Sequence, residues 1–305
     1  MKNNTPLSVA IATYNESANI DRCLKSIEGV ASEIIIVDGQ SADNTVTLAK
    51  KYPFVRIIST TNKPNFHINK QMAIDECKHD WVLLLDADEA VSQELSKEIQ
   101  KLLSLSSEKM TEQSNSVLNS HPLFLRHQQI LQARDGQYGS LSNEYTAFFV
   151  PRLNYFLGKF IRYGGVYPDG QIRLFRKSLS RQPAKDVHEQ IQTDGRVGWL
   201  SSDLLHFADP TFSRYLLRNN RYTSNIATEL QEKKIPLSFL SFLNYFLVKP
   251  IWWFLLTYIR HKGILDGFSG FVFSWYSSLR FPLAYVKYFE LTSTNQKITI
   301  GKDWD

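Results

Sequence analysis

Short apolar runs alternate with helical periods from residue 5 to about 105, a pattern that predicts successive βα units around a parallel sheet. Leu7–Ala12 reads as a first strand, Ser17–Ile27 as a helix, Glu33–Val37 as a second strand and Asn44–Lys51 as a second helix. Val55–Ile58 predicts a third strand and His67–Cys77 a third helix. Trp81–Leu85 is apolar throughout, as a central strand covered on both faces must be. It ends abruptly in Asp86-Ala87-Asp88-Glu89, ahead of a helix at about Ser92–Leu103.

Residues 104–145 are rich in Ser, Gln and Asn and have little periodicity. They read as a polar surface insertion, part loop, with room for one short helix in HPLFLRHQQILQA. Closely placed Gly, Pro and aromatic residues between Ala147 and Lys177 predict strands and turns, and residues 203–232 connect onward and end in a helix. From Ile235 to Phe289 the composition changes: 17 of the chain's 39 aromatic residues (Phe 19, Tyr 14, Trp 6) lie between Phe239 and Phe289. The expected organisation is one large α/β domain over 1–232 and an aromatic, basic, helical region over 233–305.

The chain's 305 residues are 43% hydrophobic and 21% charged with a mean hydropathy of -0.26, the make-up of a soluble globular protein. Lys and Arg number 35 against 30 Asp and Glu, a net +5 that points to an anionic partner such as a membrane surface, a phosphorylated substrate or nucleic acid. Residues 205–305 hold 12 Lys and Arg and 7 Asp and Glu, so the whole surplus sits beside the aromatic cluster. Cys23 and Cys77 have no CxxC spacing, which excludes a disulfide framework and a cysteine zinc site. The N-terminal apolar run Leu7–Ala12 is shorter than the roughly 7 to 15 residues of a signal-peptide core, so the expected location is the reducing cytoplasm.

Ligands of open α/β sheets bind outside the carboxyl ends of the strands. Three such ends are chemically loaded here: Thr13-Tyr14-Asn15-Glu16, Asp38-Gly39-Gln40-Ser41-Ala42-Asp43 and Asp86-Ala87-Asp88-Glu89. Asp86 and Asp88 are two apart and point to the same side of an extended chain, where a hard cation such as Mg²⁺ or Mn²⁺ would relieve their repulsion. The plainer alternative makes Glu89 or Ser92 the cap of the following helix.

LSVAIATYNE, EIIIVDGQSADNT and HDWVLLLDADEAVSQEL, in this order, resemble family 2 of the glycosyltransferases, inverting enzymes with a GT-A fold that use nucleotide-diphosphate sugars. VPRLNYFLGKFIRYGG, YPDGQIRLFRK, DVHEQI and GWLSSDLLHF are similar to the branch that builds lipopolysaccharide cores. The likeness runs from about residue 7 to 210. It implies a Rossmann-like, mostly parallel sheet and a nucleotide-sugar donor, a UDP-sugar first among them. Thr13, Tyr14 and Glu16 would line the nucleotide pocket, Asp38 would face the base or ribose, Asp86 the ribose or metal, and Asp88 would hold the metal. The insertion is longer than this branch implies, and Asp38 is followed by Gly39 where many members carry a second acid.

Inverting transfer needs a base for the acceptor hydroxyl and charge stabilisation for the leaving diphosphate. The resemblance makes Glu189 of DVHEQ the base, with Asp186 second. His188 and His206 read first as structural residues; as the alternative, a histidine from this half of the chain, His188 ahead of His206, would coordinate the metal and favour Mn²⁺ over Mg²⁺. Arg173, in the alternating QIRLFRK, would pair with a phosphate or else lie on a solvated strand edge.

Ile235–Ile259 has a single charge over 25 residues, but Lys249-Pro250 is expected to break it near its centre. Trp252, Trp253, Tyr258, Trp275 and Tyr276 among Lys249, Arg260, Lys262, Arg280 and Lys287 suit a lipid headgroup boundary. The expectation is therefore an in-plane or re-entrant helical region, peripheral on the inner face of the cytoplasmic membrane, serving a lipid-linked or lipopolysaccharide acceptor. The alternative is a core or homodimer surface. Nucleic acid is disfavoured, since no dense basic stripe or binding module is present. Two further functions compete: a nucleotidyltransferase, which lacks its glycine-rich loop in TYNESAN, and a non-catalytic docking partner of a glycan assembly complex.

Overall fold

The computed structural model describes residues 5–139, 144–184 and 190–294. The chain divides into two compact units, 1–153 with 168–206, and 154–167 with 207–305. The boundary expected after residue 232 therefore falls inside the second unit.

The βα alternation of the first hundred residues folds as the apolar pattern predicts. β1 (Leu7–Thr13), α1 (Ile20–Ile27), β2 (Glu33–Asp38), α2 (Thr45–Ala49), β3 (Val55–Ser59), α3 (His67–Asp75) and β4 (Trp81–Asp86) follow one another. Next come β5 (Glu89–Val91) and α4 (Gln93–Leu103), whose N-cap is Ser92: its hydroxyl accepts from the Leu95 N–H at 3.1 Å. After the insertion lie β6 (Tyr145–Val150), β7 (Arg152–Phe156), β8 (Lys159–Ile161), β9 (Gln171–Arg176), β10 (Ser180–Arg181), β11 (Gln192–Thr193), β12 (Arg196–Trp199) and β13 (Leu204–His206).

Seven strands of the first unit form one sheet in the order β12-β6-β9-β4-β1-β2-β3. β9 alone runs against its neighbours β4 and β6; every other pairing is parallel. Ile34–Ile36 of β2 and Val82–Leu85 of β4 are buried, which is why these strands read as unbroken apolar runs. Register sets Thr13 level with Asp38 and Ala12 level with Asp86, so the three loaded strand ends open on one edge.

The insertion corrects the sequence reading. It forms two 14-residue helices, α5 (Ser107–Ser120) and α6 (Pro122–Asp135), separated at His121-Pro122. Met110, Val117, Phe124 and Leu131 are the buried apolar residues of these two helices, and they recur every seven positions, two helical turns each time. So sparse a stripe escapes a search for dense periodicity. Phe124 and Phe149 stack on the Trp199 indole at centroid distances of 4.6 and 4.7 Å, and Trp199 Nε1 donates to Gln128 Oε1 at 2.9 Å.

In the second unit, β7 and β8 form a hairpin, and α7 (Phe212–Glu232) packs against α10 (Arg280–Thr294) around Ala227, Leu230, Tyr285, Tyr288 and Leu291. Between them lie α8 (Phe239–Arg260) and α9 (Gly267–Ser278). The break expected at Lys249-Pro250 does not occur. α8 is a continuous 22-residue helix that widens to π-type turns at Asn244–Val248 and Leu256–Arg260, the first of them just ahead of the proline, whose missing N–H such a widening accommodates. Its length, about 33 Å at 1.5 Å per residue, and its apolar composition would suffice to cross a membrane.

Candidate active site

The loops after β1 and β2 are laced together by side chains. Asp38 is 2% exposed; Thr13 Oγ1 donates to its Oδ1 at 3.0 Å, the Ser41 hydroxyl donates to the same oxygen at 2.6 Å, and the Ser41 N–H donates to Oδ2 at 2.9 Å. The Asn15 N–H donates to the Ser41 hydroxyl and the Ala42 N–H to Asn15 Oδ1, each at 2.9 Å. Burial opposes the ionisation of Asp43, but hydrogen bonds from Thr45 and Ser17 outweigh it and bring its pKa to about 2. Thr13 and Asp38, expected to face a nucleotide, thus hold the loops in shape. Tyr14 and Glu16 are half-buried, and Glu16 accepts from the Asn19 amide at 2.8 Å.

Across the same edge, the turn after β4 stands on a buried ion network. Glu89 is fully buried: its Oε2 accepts the Asp86 N–H at 2.9 Å, and its Oε1 faces Arg173 at 2.6 Å and Arg152 at 3.3 Å. Arg173 also donates to Asp86 Oδ2 at 2.5 Å, and Lys70 from α3 pairs with Asp86 Oδ1. Arg152 continues the network to Asp169 at 2.9 Å. Burial opposes ionisation of Asp86, but Arg173 and Lys70 outweigh burial and hold the carboxyl well below the usual range. Burial likewise lowers the Lys70 pKa, against the pull of Asp86. Arg173 is buried, so the solvated strand edge is overturned, and its NH2 group is engaged by these two carboxylates. Asp86 is engaged on both oxygens by cations.

Asp88 is placed differently. β13 pairs antiparallel with β5, setting His206 opposite Glu89, and the imidazole Nε2 stands 3.5 Å from Asp88 Oδ2. Burial raises the Asp88 pKa, but His206 more than offsets this and the carboxyl titrates low. A carboxylate and an imidazole meeting at the strand ends form a donor pair that fits a divalent cation, Mn²⁺ ahead of Mg²⁺. Among the described residues no third His, Cys, Asp or Glu joins them. Asp186, His188 and Glu189 lie outside the described residues.

Beside Asp86 the first unit opens into a polar cavity of ≈ 400 Å³, lined by Lys70, Asp86, Arg173, His127 and Leu131 of α6, and Gln190. Lys70, Arg152 and His127 were absent from the candidate residues. Lys70 and His127 sit in helical stretches and Arg152 opens a short strand, and only the topology brings them to this edge.

A mostly parallel sheet with acidic strand ends gathered on one edge, flanked by helices, defines a GT-A type glycosyltransferase fold. Residues 8–179 match the model of Glycosyl transferase family 2, more than half of the chain, and the protein belongs to that family. Among curated proteins it is 27% identical over 275 residues to the lipopolysaccharide core biosynthesis glycosyltransferase LpsC of Rhizobium meliloti, covering 88% of this chain and 86% of that one. It is also 27% identical over 280 residues to an uncharacterized glycosyltransferase of Rickettsia typhi, covering 87% and 80% respectively. Among solved structures, S. aureus TarS 1-349 aligns over 96% of this chain and 93% of its own with 13% identity and a TM-score of 0.41.

Proposed function

We propose that this glycosyltransferase moves a hexose, with inversion, from a nucleotide-diphosphate sugar to a lipopolysaccharide-core or lipid-linked acceptor at the inner face of the cytoplasmic membrane. The observation that carries the reading is the Asp88–His206 pair, 3.5 Å apart, at the strand ends and in the same unit as a sugar-sized polar cavity. The likeness to LpsC along most of both chains supports the acceptor class.

The loops after β1 and β2 form the nucleotide wall, with half-buried Tyr14 as the platform for a base, uridine first among the candidates. Asp88 and His206 would hold Mn²⁺ or Mg²⁺, which when bound neutralises the charge that develops on the leaving diphosphate. Lys70 and Arg173 fix the Asp86 carboxylate, so the turn carrying Asp88 keeps its shape. In the transfer step the acceptor oxygen bonds to the anomeric carbon as the bond from that carbon to the phosphate oxygen breaks, and configuration inverts. Glu189 takes the acceptor's hydroxyl proton, with Asp186 as the second candidate. Gln190, the next residue, lines the cavity.

The second unit is the proposed membrane contact. Trp252 is 57% exposed and Phe268 76% exposed, in a region that also carries the chain's cationic surplus. The test is release of nucleoside diphosphate from a panel of nucleotide sugars with Mn²⁺ and a lipopolysaccharide-core acceptor. Absence of turnover and of binding with every donor would refute the proposal.

A further inference from the structure

α6 brings into the catalytic unit a residue that no strand-end motif supplies. His127 lines the ≈ 400 Å³ cavity together with Asp86 and Arg173. Its Nε2 meets the backbone of Gly170, 3.1 Å from the N–H and 3.4 Å from the carbonyl oxygen, while Nδ1 has no partner among the described residues. Burial lowers the pKa of the ring. The imidazole packs edge-on against Trp199 with centroids 6.0 Å apart, so its position is fixed. Gln190 Nε2 donates to Gln171 Oε1 at 3.0 Å, which orients the Gln171 amide and leaves its Nε2 without a partner among the described residues.

The cations that line the cavity are paired. Lys70 and Arg173 meet Asp86, Arg173 and Arg152 meet Glu89, Arg152 meets Asp169, and Arg134 meets Asp135. Among the described residues, each cation of the cavity wall, Lys70, Arg134, Arg152 and Arg173, already has a carboxylate partner, so none is left unpaired to recruit a phosphate. It offers oriented neutral donors and acceptors and, from Phe66, an aromatic surface. These recognise hydroxyls and the C–H face of a sugar ring, and the volume lies in the range of about 300–1,000 Å³ common to small-molecule sites.

We infer that this cavity binds an uncharged hexosyl ring and that His127 and Gln171 determine which ring it accepts, making the polar insertion part of sugar recognition. The inference rests on the sugar-transfer reading above; the ring belongs either to the donor or to the acceptor. Saturation-transfer NMR on the full chain with Mg²⁺ tests it, using UDP, UDP-glucose, UDP-galactose, UDP-N-acetylglucosamine and the methyl glycosides of glucose, galactose and mannose as probes. Ring protons of at least one sugar receive saturation, and His127→Ala and Gln171→Ala each weaken that sugar about three- to tenfold, as loss of one hydrogen bond does, while UDP is unaffected. An effect confined to UDP-sugars identifies the transferred ring, and one confined to methyl glycosides the accepting ring. His127→Ala also removes packing on Trp199, so Gln171→Ala, on β9, is the variant that keeps α6 in place. Unchanged sugar affinity in Gln171→Ala, or UDP binding with no ring signal from any probe, overturns the inference and leaves the nucleotide reading standing. Failure of UDP and every UDP-sugar to bind overturns that reading as well.

Discussion

The imidazole of His206 stands 3.5 Å from the carboxylate of Asp88, although the two are far apart in sequence. Pairing of β13 with β5 brings them together, in register His206 with Glu89, so a ladder of three residues fixes the distance. Asp86, two residues before Asp88, has both oxygens occupied by Lys70 and Arg173. The two acids thus differ in their partners: Asp86 is held by cations on both oxygens, whereas Asp88 meets His206, and in the proposed site Asp88 is the one that would face the metal.

That difference predicts metal binding. His206→Ala should weaken Mn²⁺ affinity, followed by electron paramagnetic resonance in the presence of UDP, by at least about tenfold, the loss expected even from a residue that only supports a ligand. Unchanged affinity would remove His206 from the proposed metal site.

Asp86 predicts a dependence of stability on pH. Its folded carboxyl titrates well below its ordinary value, so its stabilisation is complete above about pH 4 and is lost as pH falls from there toward the folded pKa. Thermal midpoints of the wild type should therefore drop more steeply below about pH 4 than those of Asp86→Asn, which has no carboxyl to protonate. Parallel slopes would contradict the network as drawn.

Trp199 predicts how the insertion is held. Phe124→Ala empties one side of the indole stack and should cost about 3–5 kcal/mol by chemical denaturation. A Cβ at Gly170 would lie 2.2 Å from Trp199 Cη2, and the ring is pinned between Phe124 and Phe149, so Gly170→Ala should cost about 1–3 kcal/mol. A neutral Gly170→Ala would mean that the indole is free to move.

The second unit predicts lipid binding. Sedimentation with anionic phospholipid vesicles should retain the wild type and lose the Trp252→Ser/Phe268→Ser double variant, since burying each side chain contributes about 1.5–3 kcal/mol. Binding should weaken with salt and on neutral vesicles. Equal retention of both proteins would contradict the membrane contact.

Much of this architecture was legible in the residues. WVLLL and the IIIV within EIIIVD are apolar because both faces of those strands are covered, and Thr13, Asp38 and Asp86 do share one sheet edge. What escaped depends on register and packing. Nothing local marks Lys70, Arg152 or His127, which reach the edge only once α3, β7 and α6 are placed. The seven-residue spacing from Met110 to Leu131 was the one signal for α5 and α6, diluted by polar neighbours. At Lys249-Pro250, proline chemistry predicted a break that the π-type turns absorb.

The most direct test of sugar transfer is single-turnover release of nucleoside diphosphate from nucleotide sugars, with Mn²⁺ and a lipopolysaccharide-core acceptor, by the wild type, Asp88→Asn and Glu189→Gln. The account predicts turnover by the wild type with at least one donor, its loss by about a hundredfold or more in both variants, and nucleotide binding retained in Glu189→Gln. Full turnover by Asp88→Asn, or a wild type that neither binds nor cleaves any donor, would contradict it.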